Sequence, residues 1–174
     1  AEAEEIQHRN RGFFHADYGW TFQNLIREIA NGTKSAIDFV KYIEEDSNKF
    51  KNGFHMYFTT NHDENSWKGT EFETLGSAHQ LFSALTFVLD GIPLIYSGQE
   101  EPLKKRLRFF DKDTIGFKNL AYESFFKNLI TLRKNNPALY AGSSGGKIKW
   151  IETDQDRNIL AFKRTKDQND VICF

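Results

Sequence analysis

At 174 residues, with 39% hydrophobic and 27% charged side chains, the chain is long enough to bury a real core and polar enough to be globular. Its 23 basic and 24 acidic residues are interspersed for a formal net charge of -1, which leaves no basic stripe for nucleic acid and no polybasic patch for a membrane surface. No apolar run reaches the ~18 residues of a membrane span, and the lone Cys173 excludes an intrachain disulfide and thiolate-rich metal sites, reading instead as a small core residue.

Phe13 to Tyr18 forms a short apolar-aromatic run. Thr21 is placed to cap a helix whose Phe22, Leu25, Ile26 and Ile29 share one face, with Asn31-Gly32 as its end. Ser35, with Asp38 three residues on, opens a second helical stretch in which Ile37, Val40 and Ile43 recur at helical spacing before Lys51-Asn52-Gly53. Phe54 to Thr60 predicts a strand, and its near-continuous apolar character is that of a strand covered on both faces. A polar loop from Asn61 to Gly69 leads to Phe72–Leu89, which has the length and repeat of one buried helix closed by Asp90-Gly91. Ile92 to Tyr96 predicts the next strand, with Pro93 tolerable near its start. A charged loop from Glu100 to Asp113 precedes an amphipathic helix over Ala121–Asn135, ended by Pro137.

From Ser143 the pattern changes to antiparallel strands at Lys147–Ile151, Asn158–Arg164 and Val171–Phe174, separated by turn residues. The first ~140 residues thus alternate strand and helix, the mark of parallel units with crossover helices. A closed barrel of eight such units takes ~250 residues, whereas three units and a fragment are present. The expected architecture is α/β, with residues 1–142 as the second half of a TIM (β/α)8 barrel and 143–174 as the start of an antiparallel β domain. Half a barrel leaves raw strand edges, so a preceding half is expected to belong to the protein, or the edges to be covered by self-association.

Three polar or ionisable groups, Asn61, His62 and Asp63, follow directly on an apolar strand, where parallel barrels place their catalytic groups. The bland alternative is an Asx-type turn that caps the next helix. A metal site from His62, Asp63 and Glu64 is the weaker reading, because ligands adjacent in sequence rarely converge. Glu2, Glu4 and Glu5 form an acidic cluster that by itself is a solvated start favoured by a helix dipole. The 17 Phe, 6 Tyr and 3 Trp exceed what a minimal core needs and suit either ring packing or sugar stacking. Trp20, Trp67 and Tyr96 lie near the expected mouth and carry that same ambiguity, and Gly91 and Gly98 are expected to form turns.

The runs Phe58-Thr-Thr-Asn-His-Asp-Glu-Asn-Ser-Trp67 and Gly91-Ile-Pro-Leu-Ile-Tyr-Ser-Gly-Gln-Glu100 resemble, in the right order, the seventh and eighth strand regions of the α-amylase family of glycoside hydrolases. The opening Ala1-Glu-Ala-Glu-Glu5 with His15-Ala-Asp-Tyr-Gly-Trp20 is similar to that family's fifth strand end and sixth strand. Arg108-Phe-Phe-Asp-Lys-Asp113 and Leu129-Ile-Thr-Leu-Arg-Lys134 resemble the segment leading through its last barrel helix. The resemblance implies that Asp63 stabilises the positively charged transition state, that His62 bonds a hydroxyl of the sugar being cleaved, and that Asn61 supports the turn. It implies Glu2 as general acid, with Glu4 and Glu5 as competitors for the role.

One departure matters as much as the match. The family's nucleophile is an Asp inside a Gly-Phe-Arg-x-x-Asp-like motif ending the fourth strand, and the chain has no such motif. The resemblance therefore implies a piece of a retaining enzyme acting on α-1,4-glucans or maltooligosaccharides, inactive alone. A transglycosylase would share these residues, and a carbohydrate-binding or transporter-associated relative would keep the scaffold without the chemistry. No cofactor is implied within these residues, since the family's calcium sites lie largely in the part not present; the periplasm or the exterior is favoured over the cytoplasm.

Overall fold

The computed structural model describes residues 15–49 and 53–174. A parallel three-stranded sheet is ordered β1 (Ala16–Tyr18), β2 (Phe54–Tyr57), β3 (Ile92–Pro93). Helices α1 (Trp20–Ala30) and α2 (Ala36–Lys49) cross from β1 to β2; α3 (Glu71–Leu75) and α4 (His79–Val88) cross from β2 to β3. Helix α5 (Glu123–Asn135) follows after a long irregular stretch, and an antiparallel sheet of β4 (Ile148–Trp150), β5 (Phe162–Lys166) and β6 (Asn169–Cys173) closes the described chain. Among the described residues, no helix is long and apolar enough to cross a membrane.

The two faces of β2 explain the packing. Successive side chains of a strand point to opposite faces, and Tyr57, 3% exposed, meets the helices: its ring lies 4.8 Å from that of Phe22 on α1, which in turn meets Phe39 of α2 at 6.0 Å. Phe22, Ile26 and Phe39 are essentially closed to water, each such side chain contributing roughly 1.5–3 kcal/mol by transfer alone. Phe58 turns the other way and takes Tyr18 and Trp20 edge-on at 5.8 and 5.2 Å. Between β1 and α2, the buried His55 is clasped by two carboxylates, with Nδ1 at 2.5 Å from Asp17 and Nε2 at 3.0 Å from Asp46. Burial works against the imidazolium, but the two hydrogen bonds and both charges outweigh it and lift the His55 pKa to about 9.

Several element boundaries differ from the expectation, each for a local reason. Strand pairing of β2 stops at Tyr57 rather than Thr60, and β3 stops at Pro93 rather than Tyr96. Leu94 N–H bonds the Tyr57 carbonyl at 2.9 Å, but the Tyr96 N–H, which would donate next toward β2, is taken by the Gln99 Oε1 at 2.7 Å, so the pairing goes no further along that edge. The expected single helix over Phe72–Leu89 is broken, because Gly76 takes φ +56 and ends α3 before a 3-10 turn restarts the chain as α4. Helix α1 begins one residue before Thr21, and its N-cap is Gly19, without a side-chain cap bond. Ser35 and Asp38 do pair, with both the amide and the hydroxyl of Ser35 donating to Asp38 at 2.9 Å. Gly91 closes the expected turn, its N–H on the Leu89 carbonyl at 3.0 Å, and also permits close approach, since a Cβ there would stand 2.5 Å from the His55 carbonyl and the Tyr57 ring. Gly98, at φ +101, is the turn former expected.

In the C-terminal sheet, β5 begins at Phe162 rather than Asn158, because the Asn158 and Ile159 amides are spent on the Gln155 carbonyl at 2.7 and 2.9 Å. The β5–β6 hairpin turns through Asp167 at φ +52, a conformation Asp tolerates. Phe162, 1% exposed, belongs to the same core as Phe22, Tyr57 and Leu89. Arg164, fully buried, donates to the carbonyls of Val88 and Leu89 at the end of α4, and to Gly146, Leu139 and Tyr140, at 2.6 to 3.4 Å. Helix C-termini leave carbonyls without intrahelical partners, and Arg133 of α5 reaches the same end through Phe87 and Gly91. Cys173 packs, partly buried, against the same core.

Candidate functional site

The carboxyl end of β2 carries the polar run. Thr59, Thr60 and Asn61 are buried, and the Asn61 Oδ1 accepts the Glu64 N–H at 2.8 Å, which bends the chain into a turn running through a π-helical segment, Glu64–Lys68. Asn61 therefore does what an Asx-type turn requires. Asp63 makes no cap bond, and it and His62 turn outward, with side chains 36% and 59% exposed and His62 Nε2 at 3.5 Å from Asp63 Oδ2. Glu64 turns inward to pair with Arg27 of α1. Consecutive residues thus diverge, and among the described residues no group of three or more His, Cys, Asp or Glu is arranged to hold a metal ion.

Beneath the turn lies a buried polar network. Glu71, the first residue of α3, accepts hydrogen bonds from Thr59 Oγ1 at 3.1 Å and from Gln99 Nε2 at 2.8 Å, while Gln99 Oε1 receives the Tyr96 N–H at 2.7 Å. The loops after β2 and β3 are therefore locked to each other through one carboxylate, whose pKa burial raises despite the two hydrogen bonds. A small pocket between the strand ends is lined by Thr60, Asn65, Glu71, Tyr96 and Ser97, among others. Thr70 closes a capping box with Glu73, which also binds the Arg106 guanidinium and is held down to about 2, chiefly by that bond.

The six candidates within the described residues fall into three groups. His62, Asp63 and Trp67 share the outer rim, joined by Phe109, whose ring lies 6.0 Å from that of His62 and 5.2 Å from that of Trp67. Tyr96 and the neighbours of Asn61 line the inner pocket, and burial raises the Tyr96 phenol pKa. Trp20 stands apart: partly buried, stacked on Tyr18 at 5.7 Å and edge-on to Phe58, it packs the sheet. Glu2, the proposed acid, and its competitors Glu4 and Glu5 lie outside the described residues. Asp17 is taken up by the His55 clasp.

Sequence reasoning missed Phe109, Phe110 and Asn65. Asn65, 3% exposed, receives the Leu107 N–H at 2.7 Å and donates to the Lys105 carbonyl at 3.2 Å, pinning the long loop to the turn that carries Trp67. A pair of adjacent phenylalanines inside an otherwise charged loop is the signal that pointed there.

No family model matches the chain. Among curated proteins, it is 28% identical to Alpha-amylase 2 of Dictyoglomus thermophilum over 171 residues, covering 85% of this chain and 29% of that protein. Its fold matches a maltogenic α-amylase from Thermotoga neapolitana with a TM-score of 0.77 at 20% identity, over 91% of this chain and 37% of that one. It also matches the cyclic α-maltosyl-(1→6)-maltose hydrolase of Arthrobacter globiformis, solved with its cyclic substrate, with a TM-score of 0.68 at 19% identity, over 90% and 36% of the two chains. The chain therefore spans under a third of its curated relative's length, at 29%. In sequence and in fold, the chain is similar to α-amylase family enzymes over part of their length.

Proposed function

We propose that the chain is part of a retaining glycoside hydrolase of the α-amylase family, cleaving α-1,4-glucosidic bonds in starch-like chains or maltooligosaccharides outside the cytoplasm. On this reading residues 1–142 are the second half of its (β/α)8 barrel and 143–174 begin its antiparallel β domain. The observation that carries it is the outward pair His62 and Asp63 at the carboxyl end of β2, on a turn whose neighbours Asn61 and Glu64 are buried. Parallel strand-helix folds place their reactive groups at that end. Likeness to the Dictyoglomus enzyme supports the same assignment.

Glu2 protonates the glycosidic oxygen as it leaves, a nucleophile takes the anomeric carbon, and Glu2 then removes a proton from the water that frees the sugar. Asp63 opposes the positive charge that builds on the ring, and His62 bonds a sugar hydroxyl. Asn61 holds the turn, Trp67 offers a stacking face, and Tyr96 completes the wall, while Trp20 packs the sheet beneath. The nucleophile comes from outside these 174 residues, so the chain alone binds glucan and releases no reducing sugar. The second reading is a carbohydrate-binding or transporter-associated relative without chemistry, against which the retention of Glu2, His62 and Asp63 speaks.

Calorimetry of the purified protein with maltoheptaose tests the proposal. Binding is expected, and Asp63→Asn is expected to weaken it by roughly tenfold or more, as loss of charge-assisted hydrogen bonds does. No measurable binding, or equal affinity of the variant, refutes it. Reducing-sugar release once the missing nucleophile is supplied separates hydrolase from binding protein.

A further inference from the structure

Four rings meet at the rim beside Asp63. Phe109 and Phe110 lie 4.9 Å apart, Trp67 lies 5.2 Å from the first and 6.0 Å from the second, and the His62 imidazole is nearly parallel to Phe109 at 19°. Phe110 is 84% exposed, Trp67 57% and Phe109 40%, an unusual amount of aromatic surface to hold together in water. The loop beneath them is fixed from two sides. Asn65 ties its backbone at Lys105 and Leu107, and Asp113 accepts the Arg108 and Thr114 amides at 3.0 and 2.8 Å and pairs with the Lys105 ammonium. A merely loose loop would need none of these bonds.

We infer that Phe109 and Phe110, with Trp67, form a preorganised stacking platform for a glucosyl ring next to the one held by His62 and Asp63. The platform rests on the proposed α-glucan reading and extends it to residues outside the reacting centre. A pyranose has a flat C–H face and a rim of hydroxyls, and the cluster offers the complement: flat apolar rings, bordered by an imidazole and a carboxylate 3.5 Å apart. A purely apolar partner would leave that carboxylate facing a surface unable to satisfy it.

The test compares maltotriose and maltoheptaose by calorimetry on the full chain and on its Phe110→Ala, Phe110→Leu and Phe110→Trp variants. Phe110→Ala is expected to lose roughly three- to tenfold in maltoheptaose affinity, the size of one ring contact. Phe110→Leu should lose nearly as much, because it keeps apolar area without a flat face, and Phe110→Trp should restore binding. Leu81→Ala, on an exposed face of α4 with Leu81 66% exposed, should leave affinity unchanged. The exposure of Phe110 makes misfolding of its variants a poor explanation for lost binding, and unchanged circular dichroism checks this. If the parent chain binds maltoheptaose and Phe110→Ala binds equally well, the platform is overturned while the α-glucan reading stands. If affinity is unchanged but sedimentation shows a smaller assembly, the rings cover a second copy instead. If the parent chain binds no maltooligosaccharide, both fall together.

Discussion

Replacing Arg164 by Met removes a guanidinium that is completely buried and shared between the β5 strand and the end of α4. Its size is nearly kept, so the loss is one of hydrogen bonds. The Val88, Gly146 and Tyr140 carbonyls would lose donors at 3.0, 2.8 and 2.6 Å in a region closed to water. Each buried polar group left unsatisfied costs about 1–3 kcal/mol. Against that stands the relief of no longer burying a charge, which already pushes the Arg164 pKa down despite Asp90 at 3.7 Å. The expected net is about 3–5 kcal/mol of destabilisation, measured by urea unfolding monitored through both tryptophan fluorescence and far-ultraviolet dichroism. Arg164→Lys should recover part of it, because one ammonium cannot span carbonyls on both sides of the interface. A loss under ~1 kcal/mol for Arg164→Met would refute the idea that this side chain joins the sheet to the helices.

His55 sets a pH dependence. Its folded pKa, about 9, lies above the 6.5 of a free imidazole, so its stabilisation is fully present below about 6.5 and is lost as pH rises through 9. Stability should fall by about 3 kcal/mol across that window, and a His55→Gln variant should show a flatter profile; parallel profiles would count against the clasp. Glu71→Gln can retain the acceptor for Thr59 and Gln99 without burying a charge. Its raised folded pKa makes the parent lose stability as pH rises through that pKa, so the variant should be at least as stable at neutral pH and less pH-sensitive in denaturant titrations. Asn65→Ala should cost about 1–3 kcal/mol and speed hydrogen exchange at the Leu107 amide, which it holds at 2.7 Å; unchanged exchange there would show that the loop is held by something else.

Legibility in the sequence followed the range of the forces involved. Helical spacing of Phe22, Leu25 and Ile26 announced α1, and all three are buried, because the periodicity of a surface helix is set by its own core-facing stripe. The turn at Asn61 was legible because an Asx side chain acts on its own neighbours. What failed depended on partners distant in sequence. Where the β2–β3 pairing stops is set by Gln99, forty-two positions after Tyr57, which takes the Tyr96 N–H. The His55 clasp needs Asp17 thirty-eight residues away, and the rim needs the Phe109 loop brought in by Asn65. Trp20 and Trp67 looked alike in sequence, but the first starts a helix over Phe58 and the second stands at an exposed turn.

The account depends most on one geometry: the outward Asp63 and the acidic group at Glu2 facing a common sugar. A crystal structure of the protein with bound maltoheptaose measures it directly. The expected result places a glucosyl ring within hydrogen-bonding reach, about 3 Å, of Asp63 and His62, the next ring over Phe110, and the Glu2 carboxyl at the same rim. Glu2 at the opposite end of the strands, or a sugar bound away from Asp63, would contradict it.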